Sequence, residues 1–349
     1  MSGVTTIALD AMGGDRAPAM VLRGADIALE RHPETRFLLF GNEAQVAPVL
    51  AKLPRLAKAA TLYHTEEVVL DDAKPSQALR TGRRTSMRLA IDAVAEGHAD
   101  GVVSAGNTGA LMAIAKFVLK TLPGIDRPAI AAFFPTRRGE SVMLDLGANV
   151  ECDAENLVQF ALMGDVFART VLGLGQPTVG LLNVGSEDLK GNDAVRSAGA
   201  RLRGGITPIN FHGFIEGDDI AAGTVDVIVT DGFTGNIALK TVEGVAKLFS
   251  ESLRASFRYS VMARIGYLFA RGALKKLAAR MDPRGYNGAM FLGLGGIAVK
   301  SHGSTDAFGF ANAVGVAIDM KVNGFLEKIR VELARLNQIP VETQRSAAL

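Results

Sequence analysis

The 349-residue chain is 48% hydrophobic and 6% aromatic, enough to bury the core of one large α/β domain or two lobes. Its 38 Lys and Arg against 36 Asp and Glu leave a net charge of +2, which supplies no global field for nucleic acid, so a charged partner must meet a local patch. The single cysteine, Cys152, excludes an internal disulfide and a cysteine-built metal cage, and the opening MSGVTTIALD lacks a signal-peptide pattern; no apolar run approaches the roughly 20 residues that span a bilayer, and the expected location is the cytoplasm.

Strand-like runs alternate with helical patterns along the chain: TTIALD, RFLLF, ATLYH, DGVVS, AIAAFF, SVMLDL, PTVGLLNV, INFHGF, VDVIVT and GIAVK. Many are apolar at consecutive positions, as strands covered on both faces are. The alternation predicts an α/β fold with a doubly wound, mostly parallel sheet and ligands outside the carboxyl ends of the strands.

The first loop, Asp10 to Pro18, carries Gly13 and Gly14 for backbone freedom and Pro18 as a first-turn residue of a helix running to about Arg31. Asp10 and Asp15 there are either acid/base or metal groups or turn aspartates that cap a helix. Between Lys74 and Arg88 stand five cations (Lys74, Arg80, Arg83, Arg84 and Arg88) and no acid, just before a helix over Thr85 to Glu96. This is either a solvated face or a rim that attracts an acidic substrate or carrier.

Two turns match. Asp100, Val103, Gly106, Thr108 and Gly109 recur as Asp226, Val229, Gly232, Thr234 and Gly235 at a constant offset of 126, and Ser104 corresponds to Thr230. Each is a strand, a glycine turn and a helix start, an arrangement that turns N–H groups and the positive helix end toward an anion. Neither is a Walker loop, since no Gly-Lys-Ser/Thr follows. Ser104, Gly106, Asn107, Thr108 and Gly109, with Asp231, Gly232, Thr234 and Gly235, are therefore candidate substrate residues, joined by Asp10, Gly13 and Gly14.

After SVMLDL, a helix is expected from about Ala154 to Thr170. Cys152 before it is either an acyl-accepting nucleophile or inert, and no histidine lies near it in sequence. Lys190, in the loop Gly185 to Asn192, is a surface lysine or a point charge for phosphate facing the glycine turns. Asn236 is an N-cap or an amide donor aimed into the site.

From Gly244 to Met281 the pattern is that of a basic amphipathic helix pair, with seven cations between Arg254 and Arg280 and large apolar groups among them. Such a pair packs in a dimer or lies on an anionic membrane surface. Near the end, Gly293, Gly295 and Ala298 have dinucleotide-loop spacing but precede their strand instead of following one. The better ligand candidates there are His302 and Ser304, after GIAVK. One last long helix follows Asp306. The organisation expected is a single α/β catalytic domain over residues 1–337, including the helix pair at 244–281, and a polar tail at 338–349.

Taken together, LDAMGGDRAP, SAGNTGAL, LDLGANVECD, NVGSEDLKGN, FHGFIEGDDI, TDGFTGNIALK and KSHGSTDAFGF resemble the bacterial phosphate acyltransferases, which convert acyl-acyl carrier protein and inorganic phosphate into acyl phosphate. The similarity runs from Thr6 to about Val322. It implies a fold related to phosphotransacetylases and to isocitrate and isopropylmalate dehydrogenases, a homodimer, no metal and no redox cofactor. It implies peripheral association with the membrane and delivery of the acyl phosphate to a membrane glycerol-3-phosphate acyltransferase in phospholipid synthesis. It also implies that Lys190 and Asn236 are catalytic. Phosphate is itself a nucleophile, so direct attack on the thioester is expected, with N–H donors from both glycine turns, Lys190 on the phosphate and Asn236 on the carbonyl oxygen or phosphate. Two rivals are an NAD-linked decarboxylating dehydrogenase, for which no convincing metal-binding aspartate set or nucleotide loop is found, and a non-catalytic scaffold for carrier protein and membrane.

Overall fold

The structure is a computed structural model describing residues 4–205, 209–280, 282 and 284–337. The polar tail at 338–349 and Met281 therefore lie outside the described residues. The strands are β1 (Thr6–Asp10), β2 (Arg36–Gly41), β3 (Ala60–His64), β4 (Gly101–Ser104), β5 (Ala129–Thr136), β6 (Gly139–Leu144), β7 (Thr178–Leu182), β8 (Asn210–Ile215), β9 (Val227–Val229), β10 (Ala289–Leu292) and β11 (Ile297–Lys300). The helices are α1 (Ala19–Arg31), α2 (Glu43–Leu50), α3 (Pro54–Ala59), α4 (Pro75–Thr81), α5 (Ser86–Ala95), α6 (Thr108–Leu119), α7 (Ala154–Val171), α8 (Asp193–Arg203), α9 (Gly217–Ala222), α10 (Gly232–Arg258), α11 (Val261–Arg280), α12 (Ala307–Val322) and α13 (Phe325–Asn337).

All these strands join one sheet in the order β3-β2-β1-β4-β11-β10-β5-β6-β9-β7-β8. Side chains alternate between its faces, which explains why the strands are apolar at successive positions. Leu9, Val103 and Leu144 pack under α1, α7 and α12 on one face, while Ala8, Val102 and Met143 pack under α5, α6 and α9 on the other. The sheet is doubly wound and mostly parallel, as expected.

One strand is missing from the sequence reading, and it changes the geometry. Ala289–Leu292 forms β10, antiparallel to both β11 and β5, and β5 is in turn antiparallel to β6. The remaining neighbours pair in parallel. Three reversals in succession invert the second half of the sheet relative to the first. The carboxyl ends of β1, β4 and β11 therefore emerge at one edge, and those of β6, β9 and β7 at the other. Gly293 and Gly295 belong to the turn between β10 and β11. A Cβ on Gly293 would lie 2.8 Å from the Met163 sulfur, and one on Gly295 would lie 2.5 Å from the Leu119 carbonyl oxygen, so close packing accounts for both glycines.

Helix ends carry further differences. Pro18 is the N-cap of α1, one position before its first turn. Thr85 caps α5, and Asp153 with Asn156 forms a capping box on α7. The single last helix is in fact two, because Gly324 adopts φ +66° between α12 and α13. The helix pair begins at Gly232, twelve residues before the expected boundary: α10 runs unbroken from the second glycine turn into the basic segment. At the far end of the pair, Tyr259, Val261 and Met262 are exposed, as are Leu268 and Phe269 along α11. Among the described residues, no helix is long and apolar enough to cross a membrane.

Candidate active site

Each matching turn is built over a buried aspartate at the end of the strand beside it. At the first edge Asp10 ends β1 and accepts hydrogen bonds from Ser86 Oγ (2.6 Å), Ser104 Oγ (2.7 Å) and the Met12 N–H (3.3 Å). Ser104 Oγ in turn accepts from the Gly106 N–H at 3.1 Å. Asp10 therefore caps no helix: it joins β1, β4 and the start of α5. Burial raises its pKa against the opposing effect of the two serines. Gly13 is required here, since a Cβ would stand 2.6 Å from Asp10 Oδ2 and 2.7 Å from the Gly106 nitrogen.

The remaining first-edge candidates gather around this hub. Asn107 is the N-cap of α6, accepting from the Ala110 N–H at 2.9 Å, and its amide donates to the carbonyls of Asp71 (2.7 Å) and Ala73 (3.1 Å). It thereby clamps the segment leading into the basic run onto the turn that Thr108 and Gly109 continue. Gly14, with φ +98°, lets the Asp15 N–H reach the Gly303 carbonyl at 3.0 Å. His302 and Ser304 are neighbours, Ser304 Oγ lying 3.1 Å from His302 Nδ1.

Lys300, at the end of β11, is a group that sequence reading passed over. Its ammonium donates to the carbonyls of Ala105 (3.3 Å) and Ser301 beneath the three first-edge turns. Burial lowers its pKa to about 8, partly countered by Asp10, Asp71 and Asp15. The lysine of GIAVK looks like any strand-end lysine, and only the closure of the loops over it reveals its burial.

At the second edge Asp145 follows β6 and is wholly buried. It accepts from the N–H groups of Ile130 (2.9 Å), Gly147 (3.2 Å), Ala148 (3.0 Å) and Asn149 (2.7 Å), and from Asn149 Nδ2 (2.9 Å). Burial raises its pKa, opposed by those donors. The equivalence with the first edge extends beyond the turns: Leu9-Asp10 and Leu144-Asp145 each end a strand that pairs in parallel with the strand bearing the turn. Gly106 and Gly232 hold corresponding places too, a Cβ falling 3.4 Å from Asp10 Oδ2 in one and 2.8 Å from Asp145 Oδ2 in the other.

The second turn is not an open nest for an anion. The Gly232 N–H donates to Asn149 O at 2.7 Å, the Gly235 N–H to Asp231 O at 2.9 Å, and the Thr234 N–H and Oγ1 both to the Asp231 carboxylate at 2.8 Å. Asp231 is the N-cap of α10, so of the two expectations for Asn236 the N-cap one is corrected. Asn236 lies a turn further on and donates through Nδ2 to the Leu146 carbonyl at 3.0 Å. Gly147, at φ +126°, makes room for it, since a Cβ there would be 2.9 Å from that nitrogen. A Cβ on Gly235 would fall 2.0 Å from the Asp145 carbonyl oxygen, so this glycine brings α10 against the Asp145 loop.

Cys152 lies in the same cluster, half-buried, with Sγ 3.8 Å from Asn149 O. Burial first, then the charge of Asp145, pushes its thiol up to about 12. A thiol held protonated is a poor nucleophile. Lys190 is exposed in the loop after β7, the strand next to β9, so it and Asn236 share an edge.

The chain thus divides the expected site. Asp10, Gly13, Gly14, Ser104, Gly106, Asn107, Thr108, Gly109, His302 and Ser304 are brought together at one edge; Lys190, Asp231, Gly232, Thr234, Gly235 and Asn236 are brought together at the other. From β4 to β9 the sheet takes five strand steps and reverses direction, which separates the two glycine turns by roughly 25 Å at ordinary strand spacing. Within one chain the two turns cannot hold one phosphate, and Lys190 does not face both.

The profile of the family described as "Fatty acid synthesis protein" matches residues 5–328. A phosphate acyltransferase of Rhodospirillum centenum is 68% identical over 336 residues, covering 96% of this chain and 95% of that protein. A phosphate acyltransferase of Paramagnetospirillum magneticum is 61% identical over 348 residues, covering 100% and 99%. Among solved structures, a phosphotransacetylase from Streptococcus pyogenes superposes with a TM-score of 0.62 at 17% identity, over 91% of this chain and 94% of that one. A putative 4-hydroxythreonine-4-phosphate dehydrogenase from Salmonella typhimurium gives 0.53 at 13% identity, over 91% and 100%. At such identities these two likenesses concern the fold alone.

Proposed function

Because the chain belongs to the phosphate acyltransferase family of fatty acid synthesis proteins, we propose that its chemistry is centred on the second edge, with Lys190 and Asn236 in the catalytic roles. The enzyme transfers an acyl group to phosphate. The acyl donor in this reading is acyl-acyl carrier protein, residues 1–337 act as one catalytic domain, and the product enters phospholipid synthesis through a membrane glycerol-3-phosphate acyltransferase.

The observation that carries the assignment is the surroundings of Lys190. Asp145 and Asp231 both lie at this edge, and after burial their charges add to the rise of the Cys152 thiol. A phosphate approaching it requires a local cation, and Lys190 is an exposed lysine in the loop beside β9. An asparagine amide has two N–H groups; Leu146 takes one of Asn236's, and the other is assigned to the substrate's carbonyl oxygen. A phosphate oxygen attacks the thioester carbon, the C–O bond forms and the C–S bond breaks. The proton of hydrogen phosphate passes to the departing sulfur, giving acyl phosphate and carrier thiol, with no acyl group on Cys152.

Release of carrier thiol from acyl-acyl carrier protein plus phosphate tests the reading. Lys190→Ala is expected to lower kcat/KM by about 100-fold with the fold intact, and near-normal turnover would overturn the assignment.

The helix pair is assigned to two contacts, a homodimer at its base and anionic lipid at its tip. Exposed Tyr259, Val261 and Met262 at the tip support the lipid contact, as does the groove of about 1110 Å³ between α10 and α11, lined by Arg254, Arg258, Arg264, Arg271 and Lys275 among apolar groups. Replacing Arg258 and Arg264, the exposed cations that flank the tip, with glutamate should weaken binding to anionic vesicles by about 1 kcal/mol per charge removed, with a smaller effect for Lys275 and Lys276 further along α11, and salt should also weaken it. Equal binding of the parent protein to neutral and anionic vesicles would remove the lipid contact from this account.

A further inference from the structure

We infer that Asn183 is the positioning residue for Lys190, an inference that rests on the catalytic assignment of Lys190 above. Asn183 stands at the end of β7, where its own N–H donates to Ile215 O on β8 at 2.8 Å. The strand before it is buried through Leu181 and Leu182, so the point from which its side chain departs is fixed by the sheet.

That side chain spans the neck of the lysine loop. Nδ2 donates to the Gly185 carbonyl at 3.0 Å and to the Lys190 carbonyl at 3.2 Å, so one amide joins the start of the loop to the catalytic residue itself. On its other side Oδ1 closes against Gly191. A Cβ at position 191 would lie 2.1 Å from that oxygen, and the backbone there has φ +90°. The loop between these points is otherwise exposed, with Val184 at 79% and Leu189 at 88% of full accessibility, so packing does little to hold it. Its other ties are the Lys190 N–H to Glu187 O at 3.0 Å, Arg196 Nη1 to Gly191 O at 2.7 Å and the Arg203–Asp188 ion pair at 2.6 Å. Of these side chains, only Asn183 bonds to the backbone of Lys190. Two carbonyl acceptors require two N–H bonds in one plane, which asparagine has and aspartate lacks.

Asn183→Asp keeps the shape and replaces the donor with an oxygen facing two carbonyls. It should lower kcat/KM for phosphate about tenfold or more while shifting Tm by only a few degrees. In a Lys190→Ala background the same change should alter kcat/KM by less than about twofold, because it acts through the missing lysine. Gly191→Ala, which pushes on Asn183 Oδ1 from the opposite side, should show the same pattern. Full activity of Asn183→Asp, or an equal further loss when Lys190 is already alanine, would overturn the inference. Retained activity of Lys190→Ala alone would overturn the assignment beneath it, which separates the two failures.

Discussion

The unit formed by β1, β4 and α6 and the unit formed by β6, β9 and α10 share a plan: a Leu-Asp strand end, a parallel neighbour, a glycine turn and a helix. They differ in what satisfies the buried carboxylate. Asp10 is held mainly by two serine hydroxyls, Asp145 by four main-chain N–H groups and an asparagine amide. Hydroxyls rotate to other acceptors, whereas main-chain donors are fixed. The first aspartate therefore links elements that would still fold around it, while the second shapes the loop against which α10 and Asn236 are set. The caps differ as well. A neutral Asn107 begins α6, two residues after the Ala105 carbonyl that half-buried Lys300 holds, and an acidic Asp231 begins α10. One shared plan thus carries a lysine among acids at the first edge and a second acid at the other.

The largest expected effect breaks the equivalence of the two aspartates. Asp145→Ala strands four main-chain N–H groups and should cost on the order of 4 kcal/mol or more, against about 1–3 kcal/mol for Asp10→Ala, compared by urea denaturation. Equal losses would show that the kind of donor does not matter.

A second test concerns the field of the first unit. The folded-state pKa of Lys300 is lowered from 10.5 to about 8, so between those values the unfolded chain binds more protons than the folded one. Stability should therefore rise with pH across that window through this group, by on the order of 3 kcal/mol, and the burial cost should stand in full below it. Lys300→Met should abolish the rise. An unchanged slope of unfolding free energy between pH 8 and 10 would contradict the burial of a charged lysine.

The smallest effect sharpens the field of the second unit. Cys152→Ser should change turnover by less than about twofold, and the parent thiol should react with iodoacetamide at pH 8 far more slowly than a free thiol of pKa about 8.5. An acyl group trapped on Cys152 would replace direct attack with a two-step transfer.

Much of this was legible in the residues. Continuous apolar runs such as DGVVS and VDVIVT mark doubly covered strands because both faces of their sheet are packed. The offset of 126 exposed the repeated turns because a glycine at a close approach admits no substitute. Local chemistry also placed helix starts at Thr85 and about Ala154. Position in space was not legible. AMFL is too short to announce a strand, yet as β10 it reverses the sheet and sends two matching turns to opposite edges. Lys300 at a strand end and Lys190 in a loop after one look alike in sequence, and loop closure alone half-buries the first and leaves the second exposed. Asn236 carried the pattern of an N-cap, but Asp231 is nearer the first free N–H groups, so the amide reaches Leu146 instead. A sequence records which groups a segment contains and their spacing; strand direction, burial and the choice between competing partners are set by residues distant along the chain, and only the packed fold brings those together.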